Sequence, residues 1–356
     1  MENEKLIFFV VGARPNFIKV APLLRELKES NQYKFKLIHT GQHYDKLMSS
    51  IFFEDLKIPY PDYNLEIHGE SQNSQIAKIM LGFEKLCIKD NPDFVFVFGD
   101  VNSTLAASIT AKKMNIKLIH YEAGLRSFDR DMPEEINRLM CDSVVDYFLC
   151  TEDSAIQNLI NEGKNPNNIF LVGNLMIDSL FNQIKIQKNK AKKNNYAVVT
   201  MHRPSNVDND FQLKKNIEIF NEIAKKISIV FPVHPRTKNK LKAFKLNNNI
   251  KIIAPLGYKD FIKLWSNSKF IITDSGGIQE ETTALKIPCL TIRDNTERPI
   301  TISLGSNTLV GSDKNKILNI VDKILKNQYK KSSIPKFWDG MASKRIIKIL
   351  NDINEK

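Results

Sequence analysis

The chain has 356 residues, 42% of them apolar and 26% charged, with a formal net charge of +12. It is long enough to bury two domain cores, and no apolar run approaches the length of a membrane span, so no membrane partner is expected. The positive excess is largely lysine mixed with asparagine, as in "KNKAKKNN" (188–195) and "KILKNQYK" (323–330). A nucleic-acid groove would interleave arginine and aromatic residues, so no nucleic-acid partner is expected either. The opening "MENEKLIFFVVGARP" turns polar too soon for a secretory signal, which points to the cytoplasm. Cys87, Cys141, Cys150 and Cys289 form no CxxC pair and read as reduced core residues rather than a disulfide framework or zinc site.

Apolar, β-branched runs alternate with amphipathic segments along the whole chain. "LIFFVVG" leads into a helical pattern over 17–30, then "FKLIHT" and a helix around 44–53. After a looser stretch come a helix near 74–89, "DFVFVFGD", a helix over 103–114, "IKLIHYEAG", a helix over 133–145 and "DYFLCT". A charged, weakly apolar segment over 181–195 reads as a linker. The rhythm restarts with "YAVVTMHRP", a helix near 211–226, "ISIVFPVHP", "IKIIAPLG", a helix over 259–267, "KFIITDSGG" and "IPCLTI". Continuous apolar strands separated by helices describe parallel sheets covered on both faces. The expected class is α/β, with two doubly wound domains whose strand ends face a shared cleft.

Six expected strand ends carry charged or imidazole groups: Arg14, Asp100, Glu122, His202–Arg203, His234–Arg236 and Asp274–Ser275. Arg14 and Lys19 flank the opening of a helix, where cations can hold a diphosphate. Asp100, Glu122 and Glu134 supply three carboxylates whose crowding can separate an acid from a base. His202 adds a group that titrates near neutrality. Each also has an ordinary structural explanation: Asp100 as a cap for the helix at Ser103, Glu134 as a dipole partner, and His202 as a satisfied half-buried ring. The stretch "TDSGGIQEET" (273–282) fits a phosphate seated on Ser275, Gly276 and Gly277 with an acid one turn later on a sugar hydroxyl. It equally fits a serine-capped turn. GxGxxG, GxxxxGK[ST] and GxSxG are all absent, so no nicotinamide cofactor, Walker loop or serine elbow is indicated.

Seven ordered motifs then carry a resemblance over nearly the whole chain: "GARPNFIKVAPL" (12–23), "HTGQHYD" (39–45), "GDVNSTLAAS" (99–108), "HYEAGLRSFDRDMPEEINR" (120–138), "TMHRPSN" (200–206), "TDSGGIQEE" (273–281) and "RDNTERP" (293–299). The chain resembles the non-hydrolysing UDP-N-acetylglucosamine 2-epimerases. The resemblance implies the glycosyltransferase-B architecture: a Rossmann-like domain over 1–180, a UDP-binding Rossmann-like domain over 181–338, and a helix within 339–356 crossing back to the first. It implies C2 inversion of UDP-N-acetylglucosamine to UDP-N-acetylmannosamine for glycan precursor synthesis, by loss of UDP to a 2-acetamidoglucal and its re-addition. A UDP-sugar is then the substrate, no cofactor is required, and a homodimer is the expected assembly.

By the same resemblance Asp100 and Glu134 transfer protons, Glu122 orients the sugar, and Arg138 supports the carboxylates. Arg14, Lys19 and His202 stabilise the departing diphosphate. Leu256 and Phe261 receive uracil, Ser275, Gly276 and Gly277 hold phosphate, Glu281 holds ribose, and Arg298 closes the site. Gln42–Asp45 and His202–Pro204 depart from the bacterial pattern in regions that there bind an activating second substrate molecule. The short loop "AGLRSFDRDMP" (123–133) also occurs in epimerases of a diacetamido-uronate nucleotide. There Arg126 and Arg130 offer cations for the extra carboxylate, and "TERP" (296–299) favours the plain sugar. A glycosyltransferase on the same fold is the remaining alternative.

Overall fold

A computed structural model describes residues 4–30, 32–41, 53–69, 71–186, 195–233 and 235–355. The helix expected around 44–53 lies outside these except for Phe53. Gln42–Asp45, His234 and most of the lysine-rich stretch at 188–195 also lie outside them. The chain divides into two compact units, one of residues 1–179 and 336–356, the other of residues 180–335.

In the first unit, β1 (Leu6–Val11), β2 (Lys34–His39), β3 (Tyr63–Asn64), β4 (Phe94–Phe98), β5 (Lys117–Tyr121), β6 (Tyr147–Cys150) and β7 (Ile169–Leu171) form one parallel sheet in the order β3-β2-β1-β4-β5-β6-β7. The connecting helices are α1 (Arg14–Ser30), α2 (Gln72–Asp90), α3 (Asn102–Lys113), α4 (Pro133–Val144), α5 (Asp153–Asn161) and α6 (Leu175–Ile186). Near-continuous apolar strands suit this arrangement because both faces of the sheet are covered. Phe8, Val10, Val95 and Val97 pack with Phe83 and Cys87 of α2 and Ala107 and Ala111 of α3. On alternate positions Phe9, Phe96 and Phe98 stack, with ring centroids 5.2 Å apart for Phe9–Phe96 and 4.9 Å for Phe96–Phe98.

The sequence pattern missed β3, a two-residue strand in register with Ile38 and His39, so the strand ending at Gly99 is the fourth in chain order. The expected linker is corrected at its start. α6 runs through residues 181–186, because Leu175, Ile177 and Leu180 bury its apolar side.

The second unit holds β8 (Tyr196–Thr200), α7 (Pro204–Val207), α8 (Asp210–Ala224), β9 (Ser228–Pro232), α9 (Pro235–Leu241), β10 (Ile250–Ile253), α10 (Tyr258–Ser266), β11 (Phe270–Thr273), α11 (Gly276–Ala284), β12 (Cys289–Thr291), α12 (Pro299–Ser303), β13 (Asn307–Leu309) and α13 (Lys314–Leu325). Its parallel sheet runs β10-β9-β8-β11-β12-β13. Val199, Phe231, Ile272 and Leu290 of the sheet pack on Leu213, Ile217 and Phe220 of α8 and on Ile317, Val321 and Ile324 of α13.

The chain then returns to the first unit through α14 (Ala342–Asn354), which packs on α1 with Ile346, Leu350 and Ile353 buried. Asp178 fixes its start by accepting from Ala342 N at 3.1 Å, Ser343 N at 2.8 Å and Ser343 Oγ at 2.8 Å. Those are amides a helix cannot satisfy internally. All four cysteines are free and buried. Among the described residues no helix is long and apolar enough to cross a membrane.

Candidate functional site

Each sheet has one point where strand order reverses, β1/β4 in the first unit and β8/β11 in the second, and doubly wound folds bind ligands at the carboxyl ends there. Arg14 follows β1 and Asp100 follows β4; His202 follows β8 and Asp274 follows β11. The polar residues singled out along the chain therefore flank the two switch points.

In the first unit the turn after β1 is tied to the end of β4. Asn16 Oδ1 accepts from Gly12 N at 3.2 Å and Ala13 N at 3.0 Å, while Asn16 Nδ2 donates to Phe98 O at 3.2 Å. Gly12 is required by close approach, because a Cβ there would lie 1.9 Å from Ser103 Oγ. Beside this turn Lys19 Nζ donates to Glu122 Oε2 at 2.7 Å, with both side chains buried. The pair lies against Gly99, whose φ of +64° favours glycine and whose Cβ would stand 3.2 Å from that same Oε2. Glu122 itself has φ +72°, a left-handed conformation uncommon outside glycine.

Asp100, directly after Gly99, is only a quarter exposed and accepts from Arg138 Nη2. Its expected alternative as a helix cap is not what forms: Val101 is the N-cap residue of α3 and makes no side-chain cap bond. Arg138 also donates through Nη1 to Glu135 Oε2. Glu135 in turn accepts from Ser127 N at 2.9 Å and Phe128 N at 2.9 Å, holding the loop between β5 and α4. Burial would raise the Glu135 carboxyl, but these amides and Arg138 outweigh burial and hold it below the usual range.

Glu134, the acid the sequence selected, is exposed in the first turn of α4, where a carboxylate also suits the helix dipole. It shares with Asp100, Gln75, Asn102 and Asn137 the walls of a 290 Å³ depression. Glu122 is not among the residues lining it. Three residues of this region escaped sequence reading: Asn16, Glu135 and Asn137, whose Nδ2 donates to Asp100 O at 2.8 Å. The signal was there in "GARPN" and "PEEIN", where an amide follows the charged residue at helical spacing.

In the second unit His202 is 63% exposed, so the half-buried alternative does not hold. Its Nδ1 lies 2.7 Å from Asp274 Oδ1, an arrangement that orients the ring and leaves Nε2 facing outward. Asp274 is fully buried and also accepts from His202 N at 3.0 Å, Arg203 N at 2.9 Å and Asn206 Nδ2 at 3.1 Å. Burial would raise its carboxyl; His202 and the backbone amides hold it below the usual value.

Ser275 is the N-cap residue of α11 but makes no side-chain cap bond, so the first-turn amides at Gly276 and Gly277 are not capped by its hydroxyl. The serine-capped turn therefore gives way to an anion-accepting helix start. One turn on, Glu281 is buried and accepts from Tyr258 Oη at 2.7 Å. Leu256 and Phe261 flank the half-buried start of α10, with Phe261 N donating to Gly257 O at 2.9 Å. Arg298 is buried with Nε 2.8 Å from Glu280 Oε1. Arg293 Nη2 donates to Glu297 Oε2 at 2.8 Å. Burial opposes charge on Glu297, yet Arg298 and Arg293 hold it far below the ordinary carboxylate range.

Arg126 is corrected as a binder of an extra substrate carboxylate. It is 5% exposed and already engaged, with Nη1 2.8 Å from Asp142 Oδ2 and Nη2 2.7 Å from Glu162 Oε2. Arg130 is exposed.

Two Rossmann-like units with acid–base groups at one switch point and an anion-accepting helix start at the other define a nucleotide-sugar enzyme of glycosyltransferase-B type. The model of the UDP-N-acetylglucosamine 2-epimerase family matches residues 25–351. The chain is 43% identical over 359 residues to the UDP-N-acetylglucosamine 2-epimerase of Methanocaldococcus jannaschii, covering 96% of this chain and 97% of that one. It is 37% identical to the UDP-2,3-diacetamido-2,3-dideoxy-D-glucuronate 2-epimerase of Pseudomonas aeruginosa, over 97% of this chain and 99% of that one. A crystal structure of Methanocaldococcus jannaschii UDP-GlcNAc 2-epimerase in complex with UDP-GlcNAc and UDP superposes with a TM-score of 0.87 at 42% identity, covering 98% of this chain and 99% of that one. The chain belongs to the UDP-N-acetylglucosamine 2-epimerase family, a family of isomerases.

Proposed function

We propose that the protein interconverts UDP-N-acetylglucosamine and UDP-N-acetylmannosamine. The observation that carries this reading is the arrangement around Gly99. Asp100 follows it, held by Arg138, and the Glu122 carboxylate lies against it, held by Lys19. Two carboxylates fixed by separate cations are what a reaction with two proton transfers needs.

A base removes the proton from C2 while the C1–O bond to UDP breaks, and the electron pair of the C–H bond forms the C1–C2 double bond of a 2-acetamidoglucal. A second group delivers a proton to the opposite face of C2, and UDP returns to C1. Asp100 and Glu134 are assigned to these transfers because they line one depression. Glu122, charge-balanced by Lys19, orients the sugar, and Arg138 sets the position of Asp100. In the second unit, Ser275, Gly276 and Gly277 receive phosphate at the start of α11, and Glu281 receives the ribose hydroxyls. Leu256 and Phe261 receive uracil. Arg14 and the outward Nε2 of His202 stabilise charge on the departing diphosphate, with Lys19 contributing through its pairing with Glu122. Arg298, fixed by Glu280, borders the phosphate site.

The plain sugar is favoured over the diacetamido-uronate because buried Arg126 is already matched by two acids. Incubation of the protein with each nucleotide sugar separates the two: the account expects UDP-N-acetylglucosamine alone, without acceptor, to reach a mixture of epimers. Turnover of the uronate only, or turnover that waits for an acceptor, overturns it.

Assembly as a homodimer is part of the proposal. Exposed Ile136, Met140 and Val144 along α4 and Leu81 and Ile88 along α2 supply apolar surface for it. Four buried free thiols support residence in the reducing cytoplasm.

A further inference from the structure

We propose that His120 is a positioning residue: a buried imidazolium that locks together the two turns bearing Asp100 and Glu122. The roles of those acids rest on the function proposed above; the state of the ring does not.

His120 sits on β5, paired with Val97 of β4 and Phe148 of β6, and is completely buried. Its Nε2 lies 2.8 Å from Gly99 O, and its Nδ1 lies 2.7 Å from Asp142 Oδ1 on α4. Both partners are acceptors, a peptide carbonyl and a carboxylate. A neutral imidazole has one N–H and one lone pair, so one of these contacts would set two lone pairs against each other. Only the doubly protonated ring donates to both.

Asp142 is not the source of a proton for either contact. Its Oδ2 accepts from Gly124 N at 2.9 Å and lies 2.8 Å from Arg126 Nη1, both of which favour the carboxylate. Among the described residues, the titratable and charged groups facing this ring are Cys141 and Asp142 from α4, with Arg126 and Glu162 beyond them. Burial works against the charged ring, and Cys141 and Asp142 beside it outweigh burial, holding it well above the ordinary histidine value. His120 and Arg126 balance Asp142 and Glu162, so the cluster closes without net charge.

The consequence is mechanical. One donor fixes the carbonyl of Gly99, the residue before Asp100. The other fixes Asp142, whose second oxygen holds Gly124 N, two residues after Glu122. Gly99 and Glu122 both have positive φ, so neither turn is held by its own backbone preference. His120 touches neither the sugar nor the reacting carboxylates; it sets where they stand. Small misplacements of such groups cost up to about 100-fold in rate, so His120→Ala is expected to lower kcat by about 10- to 100-fold. KM should stay within about 3-fold, since the residues that hold the nucleotide are in the other unit. His120→Gln, which keeps a donor for Gly99 O and loses the bond to Asp142, should recover part of the loss.

The test combines nitrogen NMR of the imidazoles in the full chain with steady-state kinetics of the wild type and both variants. Two protonated ring nitrogens at His120, unchanged from about pH 6 to 9 across the ordinary histidine pKa, and a kcat loss at constant KM that Gln partly restores, are the expected results. A neutral ring at pH 7, or a folded His120→Ala with wild-type kcat, overturns the proposal. So does a loss confined to KM. If His120→Ala does not fold, the ring's protonation and the Gln variant decide. A wild type that shows no epimerisation refutes the functional reading instead, and the NMR result still supports or refutes the imidazolium.

Discussion

Lys19 Nζ and Glu122 Oε2 stand 2.7 Å apart with side chains 7% and 3% exposed, pressed against the Cα of Gly99. Removing one partner leaves a buried charge with no counter-charge. Lys19→Ala is expected to destabilise the protein by about 3–5 kcal/mol, read from the urea midpoint. A change near zero would show that Glu122 is neutralised by something else.

Asp100→Asn keeps the shape of the side chain and removes its capacity as a base. Turnover should fall by about 100-fold or more while UDP affinity stays, measured by single-turnover kinetics and calorimetry. Retained turnover would move proton transfer to another group.

In the second unit, Glu281→Ala should weaken UDP binding by about 10- to 100-fold, the scale of a hydrogen bond to a charged group. Tyr258→Phe, which removes the 2.7 Å bond to Glu281 but no ligand contact, should weaken it less. Equal affinity in the wild type and Glu281→Ala, by titration calorimetry, would remove ribose from this residue.

The pH dependence of stability has a definite sign. Glu135, Asp142, Asp274 and Glu297 all have carboxyls held below their usual values in the fold. The unfolded chain therefore binds more protons in acid. The stabilisation these groups give is present above their unfolded values of about 4 and is lost as pH falls through the lower folded values. The urea midpoint should drop steadily below about pH 4. A midpoint flat to pH 2 would mean the four acids titrate alike in both states.

The alternation of strands and helices was legible because parallel strands buried on both faces are nearly unbroken apolar runs, as in "FVFVF" and "LIFFVV". Short elements were not: β3 and β13 span two and three residues and owe their existence to neighbouring strands, not to pattern. The polar strand ends could be read as a set, since charge at the close of an apolar run stands out. Which acid of Glu134 and Glu135 is buried could not, since both sit in the first turn of α4 and the choice is made by Ser127, Phe128 and Arg138. His120 and Asp142 lie 22 residues apart and meet only once β5 and α4 are packed.

Proton NMR of UDP-N-acetylglucosamine incubated with the protein in deuterated water tests the central claim most directly. The account predicts that every molecule appearing as the manno epimer carries deuterium at C2, with UDP-bound sugar as the only accumulating product. Full conversion with the original C2 hydrogen retained would contradict it.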